Sequence, residues 1–384
     1  MTRTWVPGDN MRLHGLTTLF ELLGDRVVYR NLEPADPHLP GLRSAWREMG
    51  LAGPQVPRKA DAGYAQAIVW LLRRARPGLE RLLYIGDTRL LDGTAFHNIQ
   101  AAGGWPARAF IASEDLAAPP RLERDGPLFL ANRWALLGEF LSQAEAEGLS
   151  LGPQTALVLD LDKTTLGARG RNDGAVDRAR VDGVRATVAA LLGERFDQAA
   201  FDRAYGELNR PTYHPFTADN QDYLAYICLA VGAGMIGFEG LLDQVQAGNL
   251  QNFQDFLAAV APQARAAEPR LRALHEEIVM RVEAGDPTPF KEFRRREYLG
   301  TVARFGRPSG EAPIEVRLRE EILITQEVRE AALVAGRRGA LVFGLSDKPD
   351  EASFPPPGAE GLQPLHRTPT HAYGESLPAP WGNG

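Results

Sequence analysis

The stretch Ala156 to Leu166, ALVLDLDKTTL, begins with the apolar run Ala156 to Leu159, which ends on Asp160, and a second carboxylate, Asp162, follows two residues later. An unbroken apolar run of this length is typical of a strand in a parallel sheet, because both faces of such a strand are covered. In open α/β sheets the ligand lies outside the carboxyl ends of the strands. We therefore expect Asp160 and Asp162 at the mouth of a site, with a turn between them that lets each carboxylate take its own role.

The composition of the whole chain is that of an ordinary globular protein, with 384 residues, 44% hydrophobic and 24% charged. This length predicts two or three domains, at about 150 residues each. The net charge of −6 argues against a nucleic-acid-binding protein that relies on overall positive charge, but leaves local basic patches open. The single cysteine, Cys228, excludes an intrachain disulfide and fits a reducing compartment. The N-terminal MTRTWVPGDN has no apolar leader core and no run approaches a membrane span, so we expect a soluble, cytoplasmic protein without a membrane partner.

The chain before Ala156 alternates between predicted helices and predicted strands. Apolar residues at helical spacing predict helices over Met11 to Gly24, Asp61 to Arg76 and Leu130 to Glu147, and a further short one around Leu42 to Met49. Short apolar runs predict strands over Arg26 to Arg30, Leu82 to Ile85 and Arg108 to Ala112. This alternation indicates an α/β domain.

The spacing of apolar residues changes after the central run. From residue 167 to 338 apolar residues recur at spacings of three and four without clear strands, which predicts a helical domain. A second apolar strand, GALVFGLS, follows at Gly339 to Ser346, and a proline-rich tail from 350 to 384 is expected to extend over the surface. The predicted organisation is an α/β core of residues 1–166 plus 339–349, a helical insertion of residues 167–338, and the tail.

Polar residues stand at the ends of the predicted strands and helices: Lys59, Asp87, Asp92, Asp160, Asp162 and Ser346. If the strands are parallel neighbours, these residues face one crevice. Close carboxylates repel each other unless a cation binds between them or one is protonated, and Mg²⁺ prefers oxygen ligands. A carboxylate can attack phosphorus, a second acid can transfer the proton, and a lysine with a hydroxyl can hold the phosphoryl oxygens.

These residues resemble the motifs of the haloacid dehalogenase-like hydrolase superfamily. DLDKT at Asp160 to Thr164 resembles its first motif, and GDTRLLD at Gly86 to Asp92 resembles its fourth. Ser346 at the end of LVFGLS is similar to the second motif, and Lys59 before a helix is similar to the third. The usual order is first to fourth, whereas here the third and fourth precede the first and second. A circular permutation accounts for this order, because joining the chain's end to its start restores it.

The resemblance implies a circularly permuted, three-layer, Rossmann-like parallel sheet with an all-helical cap inserted after the first motif. Asp160 would be the nucleophile and a Mg²⁺ ligand, and Asp162 the general acid and base that gives its backbone carbonyl to the metal. Asp87 and Asp92 would complete the metal shell, and Thr164 would steady the Asp162 loop. Ser346 and Lys59 would bind the phosphoryl oxygens, with Lys348, two residues past Ser346, as the competing lysine.

Other features have ordinary explanations that compete with functional ones. The aspartates at strand ends also suit turns and helix N-caps. The GxGxxG pattern from Gly232 to Gly237 follows a stretch that favours helix over strand, so helix packing is the better account than dinucleotide binding. The basic helix start PFKEFRRREY, from Pro289, is typical of a solvated face, although Arg294 or its neighbours Lys291, Arg295 and Arg296 could meet an anionic substrate. Cys228 lies in an apolar run typical of a core.

Three functions follow from this pattern. The first is a magnesium-dependent phosphatase or phosphotransferase acting on a phosphorylated small molecule. The second is a binding or regulatory protein on the same scaffold, motivated by the permuted order and the long insertion, because a fold does not fix a function. The third is a phosphatase of nucleic-acid ends or phosphoproteins, of which the acidic net charge disfavours the nucleic acid. The sequence does not determine the oligomeric state.

Overall fold

Two compact units make up the chain, the first built from two separate stretches. In the computed structural model, residues 10–307 and 312–382 are described. Internal contacts define an α/β unit, Met1–Arg178 with Thr301–Gly384, and a helical unit, Ala179–Gly300. The helical unit is shorter at both ends than the predicted insertion of residues 167–338. Residues 1–9, 308–311 and 383–384 of the predicted domain ranges lie outside the described residues.

The elements up to the central strand belong to the α/β unit. They are β1 (Arg12–Thr17), α1 (Leu19–Leu23), β2 (Val27–Val28), α2 (Leu42–Ala45), α3 (Ala62–Ala75), β3 (Arg81–Gly86), α4 (Leu91–Gly103), β4 (Ala107–Ala112), β5 (Leu122–Asp125), β6 (Leu128–Ala131), α5 (Leu137–Ala146) and β7 (Thr155–Asp160). A single 3-10 turn, Trp134–Leu136, precedes α5.

The helices that follow cross into the helical unit and return. They are α6 (Asp173–Leu192), α7 (Gln198–Leu208), α8 (His214–Thr217), α9 (Gln221–Gly232), α10 (Phe238–Gln246), α11 (Phe253–Ala266), α12 (Pro269–Glu283) and α13 (Lys291–Val302). The α/β unit then resumes with α14 (Ile314–Glu320), β8 (Ile324–Thr325), α15 (Gln326–Arg337), β9 (Leu341–Leu345) and β10 (Thr370–Gly374). No helix of the described residues has the length and apolar character that a membrane crossing needs.

A seven-stranded sheet forms the centre of the α/β unit, in the order β2-β9-β7-β3-β4-β6-β5. Every neighbouring pair is parallel except β5 with β6. Val158 of β7 lies opposite Tyr84 of β3 and Phe343 of β9, and all three side chains are fully buried. The expected α/β class with a largely parallel sheet is therefore confirmed.

Helices cover this sheet on both faces, because side chains alternate along each strand. Tyr84 of β3 shares a core cluster with Ile68 of α3 and Phe96 of α4. From the other face of β4, Phe110 packs on Phe140 of α5, with ring centroids 5.5 Å apart. α15 packs against α1, α5 and β9. That packing places α15 in the α/β unit, although helical spacing predicted it as part of the insertion.

The order of the strands identifies where a ligand would bind. β7 lies between β9 and β3, and the next strand outward is β2 on the β9 side and β4 on the β3 side. In doubly wound sheets the crevice opens where connections run outward in opposite directions, at the carboxyl ends of the strands. Asp160 ends β7, Asp87 follows β3, and Ser346 follows β9. The sheet therefore brings three predicted site residues to one edge.

A second sheet, β1-β10-β8, corrects two predictions. Met11 to Gly24 was predicted as one helix, but β1 pairs antiparallel with β10, with Arg12 opposite Gly374, and only α1 is helical. The tail was predicted to extend over the surface, yet it supplies β10 and the buried Trp381, whose Nε1 donates to Ser142 Oγ at 2.7 Å. Both errors have one cause, since the strand partner of β1 lies at the opposite end of the chain.

Two other predicted helices are shorter than expected. The helix predicted over Leu130 to Glu147 begins instead with the end of β6, because Leu128 to Ala131 pairs in register with β4, and α5 starts at Leu137. The helix predicted around Leu42 to Met49 is reduced to the single turn of α2. The predicted strand at Arg26 to Arg30 is only Val27 and Val28, and α3, β3 and β4 match their predictions closely.

The helical unit has its own core. Almost every apolar residue of α9 is buried in one cluster with α7, α11 and α12, and Cys228 is among them, as predicted. The GxGxxG pattern follows this helix, not a strand, and Gly234 ends the helix at a φ of +73°. A Cβ on Gly232 would stand 2.7 Å from the end of the Leu192 side chain, which favours close packing at that glycine, whereas a Cβ on Gly234 or Gly237 would meet nothing within 4 Å.

Candidate active site

Asp160 is held rigidly at the end of β7. Its backbone carbonyl accepts the hydroxyl of Thr165 at 2.7 Å, and the next amide, that of Leu161, donates to Leu345 of β9. Its side chain is 5% exposed, and Oδ1 accepts the ammonium of Lys59 at 2.5 Å. Among the described residues nothing donates a hydrogen bond to Oδ2 of Asp160. That oxygen is therefore the available one of an otherwise fixed carboxylate.

Asp92 is fixed by the start of α4. Its Oδ2 accepts the backbone N–H groups of Asp87 and Thr88, at 3.1 and 2.9 Å, so the carboxylate satisfies amides that precede the helix. Its Oδ1 accepts the hydroxyl of Tyr84 at 3.0 Å and the ammonium of Lys59 at 2.6 Å. The spacing of five residues between Asp87 and Asp92 thus places both carboxylates at the end of β3.

Asp87, Asp92 and Asp160 form a buried triad, in which one oxygen from each carboxylate lies within 4.8 Å of the other two. The expected convergence of the acids from β3 and β7 is therefore confirmed. The triad could hold a metal ion. Its donors are all carboxylate oxygens, a set that suits a hard cation.

The charges of the triad are incompletely balanced. Burial alone would lower the pKa of Lys59, but the carboxylates, Asp160 first, raise it well above its ordinary value, so the ammonium is charged. Burial, followed by the nearby Asp92, raises the pKa of Asp87 to about 7, although Arg169 opposes the shift. Burial also raises the pKa of Asp160, against the attraction of Lys59. Neighbouring buried carboxylates repel each other when all are ionised, and a cation bound between them would relieve that repulsion.

Asp162 and Ser346 meet beside the triad. The hydroxyl of Ser346 donates to Asp162 Oδ2 at 2.8 Å and accepts the backbone N–H of Lys348 at 3.0 Å. Asp162 is half-buried, on a tight turn where Lys163 has a φ of +60° and donates its N–H to Leu166. The structure thus brings the end of β9 to the loop after β7. The side chain of Asp162 is outside the triad that could hold a metal, so only its predicted backbone carbonyl remains as a ligand.

Thr164 and its neighbour Thr165 make different hydrogen bonds in the loop after β7. The Oγ1 of Thr164 is buried and has no hydrogen-bond partner among the described residues. The hydroxyl of Thr165 instead bonds the carbonyl of Asp160, and the Thr164 carbonyl accepts the Thr325 hydroxyl at 2.5 Å. Thr164 therefore gives the loop a backbone hydrogen bond and no side-chain one among the described residues, and its predicted part in steadying the Asp162 loop stays a prediction.

The two candidate lysines occupy different positions. Lys59, in the turn before α3, contacts Asp160 and Asp92 directly. Lys348 is buried after β9, where its N–H donates to Ser346 Oγ and its carbonyl accepts the N–H of Arg30. Of the two, Lys59 has its ammonium at the triad, and its predicted role in binding the phosphoryl group stays a prediction.

Arg294, for which a solvated face was predicted, with contact to an anionic substrate as the alternative, is buried inside the helical unit. Its guanidinium pairs with Asp222 of α9 at 2.5 Å and with Glu297 at 2.7 Å. Asp222 also accepts the N–H of Phe290 at 3.0 Å. The prediction of a solvated face is wrong at this position, because the partner of Arg294 is 72 residues away and local spacing does not reveal it. The neighbouring Lys291 pairs with Asp286 at 3.1 Å.

Sequence reasoning missed three residues at the site: Tyr84, Thr165 and Arg169. Tyr84 lies in an apolar strand where an aromatic residue needs no further explanation, and Thr165 has the same residue type as Thr164 beside it. Arg169 pairs with Asp87 through Nε, from a loop whose sequence, GARGR, is typical of a solvated turn.

Scanned against protein-family models, curated proteins and solved structures, the chain has no match.

Proposed function

We propose that this protein is a magnesium-dependent phosphohydrolase that acts on a phosphorylated small molecule through an aspartyl-phosphate on Asp160. One observation carries the proposal: Asp160 lies in a buried carboxylate triad, bonded to Lys59, at the carboxyl ends of adjacent parallel strands. Burying three acids and a lysine from distant parts of the sequence does not by itself stabilise a fold, so their convergence in a crevice favours a functional site.

The sheet order supports the permutation on which the resemblance rests. Taken cyclically from β7, the mutually parallel strands of the seven-stranded sheet run β7, β9, β2, β3, β4, β6, and numbered in that order they lie 3-2-1-4-5-6, an order typical of doubly wound sheets. The sites resembling the first, second and fourth motifs then follow neighbouring strands. Short motifs that matched by chance would have no reason to follow neighbouring strands of one sheet.

The residues divide the chemistry between them. The Oδ2 of Asp160 attacks phosphorus and forms the aspartyl-phosphate, while the bond to the leaving oxygen breaks and that oxygen takes a proton from Asp162. Asp162 then accepts a proton from the water that attacks phosphorus, which releases inorganic phosphate and restores Asp160. Lys59 and Ser346 bind the phosphoryl oxygens as charge redistributes. Asp87, Asp92 and Asp160 would hold Mg²⁺, which would neutralise charge on these carboxylates and on the phosphoryl group.

The decisive experiment is release of phosphate from a generic aryl phosphate by the purified full-length protein. Activity should require Mg²⁺, disappear with a chelator and return when Mg²⁺ is restored. Asp160→Asn should abolish it, since an amide is a poor nucleophile. Turnover that survives this substitution would remove Asp160 as the nucleophile.

A second candidate function, a non-catalytic binding or regulatory protein, is favoured by one feature of the same site. Lys59 already bonds two of the three carboxylates, so the triad is partly compensated without a metal. This hypothesis predicts no turnover on a broad panel of phosphate esters and a stable complex formed through the helical unit. Steady turnover by the isolated protein would count against it.

A further inference from the structure

Arg169 provides the second cation at the triad, and its environment differs from that of Lys59. Its Nε pairs with Oδ2 of Asp87. The side chain of Arg169 is 32% exposed, whereas that of Asp87 is 6% exposed and that of Lys59 is 3% exposed. One cation is therefore enclosed with the carboxylates, and the other reaches them from the solvent.

The backbone of Arg169 is anchored independently of its side chain. Its N–H donates to the carbonyl of Lys163 at 2.7 Å, and its carbonyl accepts the N–H of Glu114 at 2.9 Å. The same carbonyl accepts Nε1 of Trp134, a fully buried side chain, at 3.2 Å. The guanidinium can therefore leave Asp87 without releasing the loop, and a substitution at the side chain keeps the loop's own bonds.

We propose that Arg169 is an exchangeable counter-ion, which neutralises Asp87 until a divalent cation binds the triad and then pairs with the phosphoryl group of the substrate. This inference rests on the proposed function. A divalent cation and the guanidinium compete for the same carboxylate, and their like charges repel at this distance. The displaced guanidinium has the planar, forked set of donors that matches phosphate.

The exchange predicts changes of opposite sign in two binding measurements on Arg169→Gln. Titration calorimetry with Mg²⁺ alone should show about three- to tenfold tighter binding, because the competing cation is gone. With Mg²⁺ saturating, inorganic phosphate should bind about tenfold more weakly, because one charged donor is lost. A residue that merely shapes the loop would weaken both or change neither.

The matched control is Arg338→Gln, which removes the same charge from an arginine that is 31% exposed and pairs with Glu145 at 3.0 Å. It should leave both affinities unchanged. Arg169→Lys, which keeps a charge but not the fork, should restore the native Mg²⁺ affinity while phosphate binding stays weakened.

The outcomes separate this inference from the function on which it rests. If Mg²⁺ binds the native protein but binds Arg169→Gln equally or more weakly, the exchange is overturned and the phosphohydrolase proposal stands. Tighter Mg²⁺ binding with unchanged phosphate affinity also overturns the exchange. If Mg²⁺ binds neither protein, both proposals fail.

Discussion

The two units each bury a cation between carboxylates, and the clusters differ in how completely their charges are matched. In the helical unit, Arg294 pairs with Asp222 and Glu297, and Arg180 lies 3.5 Å from Glu297, which gives two acids against two bases. In the α/β unit, the bases that pair with the triad in the described part of the chain are Lys59 and the partly exposed Arg169, which gives three acids against two bases. Each carboxylate oxygen of Asp222 has a donor, whereas Oδ2 of Asp160 has none in the described part of the chain.

This difference separates a structural cluster from one that is prepared for a ligand. Buried charges are tolerated when their lone pairs and donors are matched, and around Arg294 both oxygens of Asp222 accept hydrogen bonds and the acids and bases are equal in number. An excess of buried carboxylate is unfavourable unless it serves another purpose, such as holding a cation. The same contrast explains why the buried Arg294 is a poor candidate for substrate binding.

The largest expected effect is on activity at the unmatched cluster. Asp160→Asn should lower kcat by a factor on the order of 10³ or more, since the attacking oxygen is lost while the fold is retained. Initial rates on an aryl phosphate in saturating Mg²⁺ give this factor. Asp125→Asn, which changes an exposed pair with Arg89 in the same unit, should keep the native rate. An equal loss in both variants would mean that activity does not depend on the triad.

The second effect is on stability at the matched cluster. Asp222→Asn should lower the free energy of unfolding by about 3–5 kcal/mol, because it leaves Arg294 buried with half of its compensation gone. Urea denaturation measures this change. Glu239→Gln, at an exposed pair in the same unit, should change stability by less than about 1 kcal/mol.

The comparison also predicts that Asp160→Asn destabilises the protein far less than Asp222→Asn does. Removing one acid from an excess of acids relieves repulsion, and Lys59 keeps its bond to Asp92. A loss of stability at Asp160 as large as that at Asp222 would show that the α/β cluster is also structural, and the proposed distinction would fail.

A third, smaller effect concerns the response to metal. Mg²⁺ at about 100 times its dissociation constant should stabilise the native protein by about 2.7 kcal/mol, because the ion binds only the folded triad. Thermal unfolding with and without Mg²⁺ measures this gain. Asp87→Asn should abolish most of it, whereas Asp222→Asn should keep the whole of it on a lower baseline. A gain that persists in Asp87→Asn would place the ion elsewhere.

The units also show which features local sequence can predict. Asp160 and the pair Asp87 and Asp92 were predictable, because each follows an apolar strand and parallel strands bring their carboxyl ends together. The pairing of Arg169 with Asp87 and of Arg294 with Asp222 was not, since the partners are 82 and 72 residues apart and local periodicity carries no information on them.

Long-range pairing also explains the misassigned elements. β1 has an apolar spacing that fits a helix, and it is a strand only because β10 of the distant tail lies beside it. The class of fold depended on strong, buried strands and was predictable. The boundaries of the helical unit depended on which helices pack on the sheet, as α15 does, and that packing is absent from the local pattern.

The smallest expected effect is a pH dependence of stability, and it should be the same in the two units. It tests whether the units differ only in their charged clusters. Burial lowers the pKa of His366 in the α/β unit, against an opposing hydrogen bond to Asp25, and burial also lowers that of His275 in the helical unit. Each imidazole also meets a tyrosine hydroxyl, that of Tyr29 or Tyr226.

In both cases the unfolded chain takes up a proton more readily than the folded one. The stabilising contribution of the neutral ring is therefore complete above the ordinary pKa of 6.5 and is lost as the pH falls below it. Urea midpoints between pH 7.5 and 5.5 should decline for the native protein and decline less for His366→Gln and for His275→Gln. If only one substitution flattens the profile, the units differ in more than their charged clusters, because two buried neutral histidines would then respond differently to the same proton.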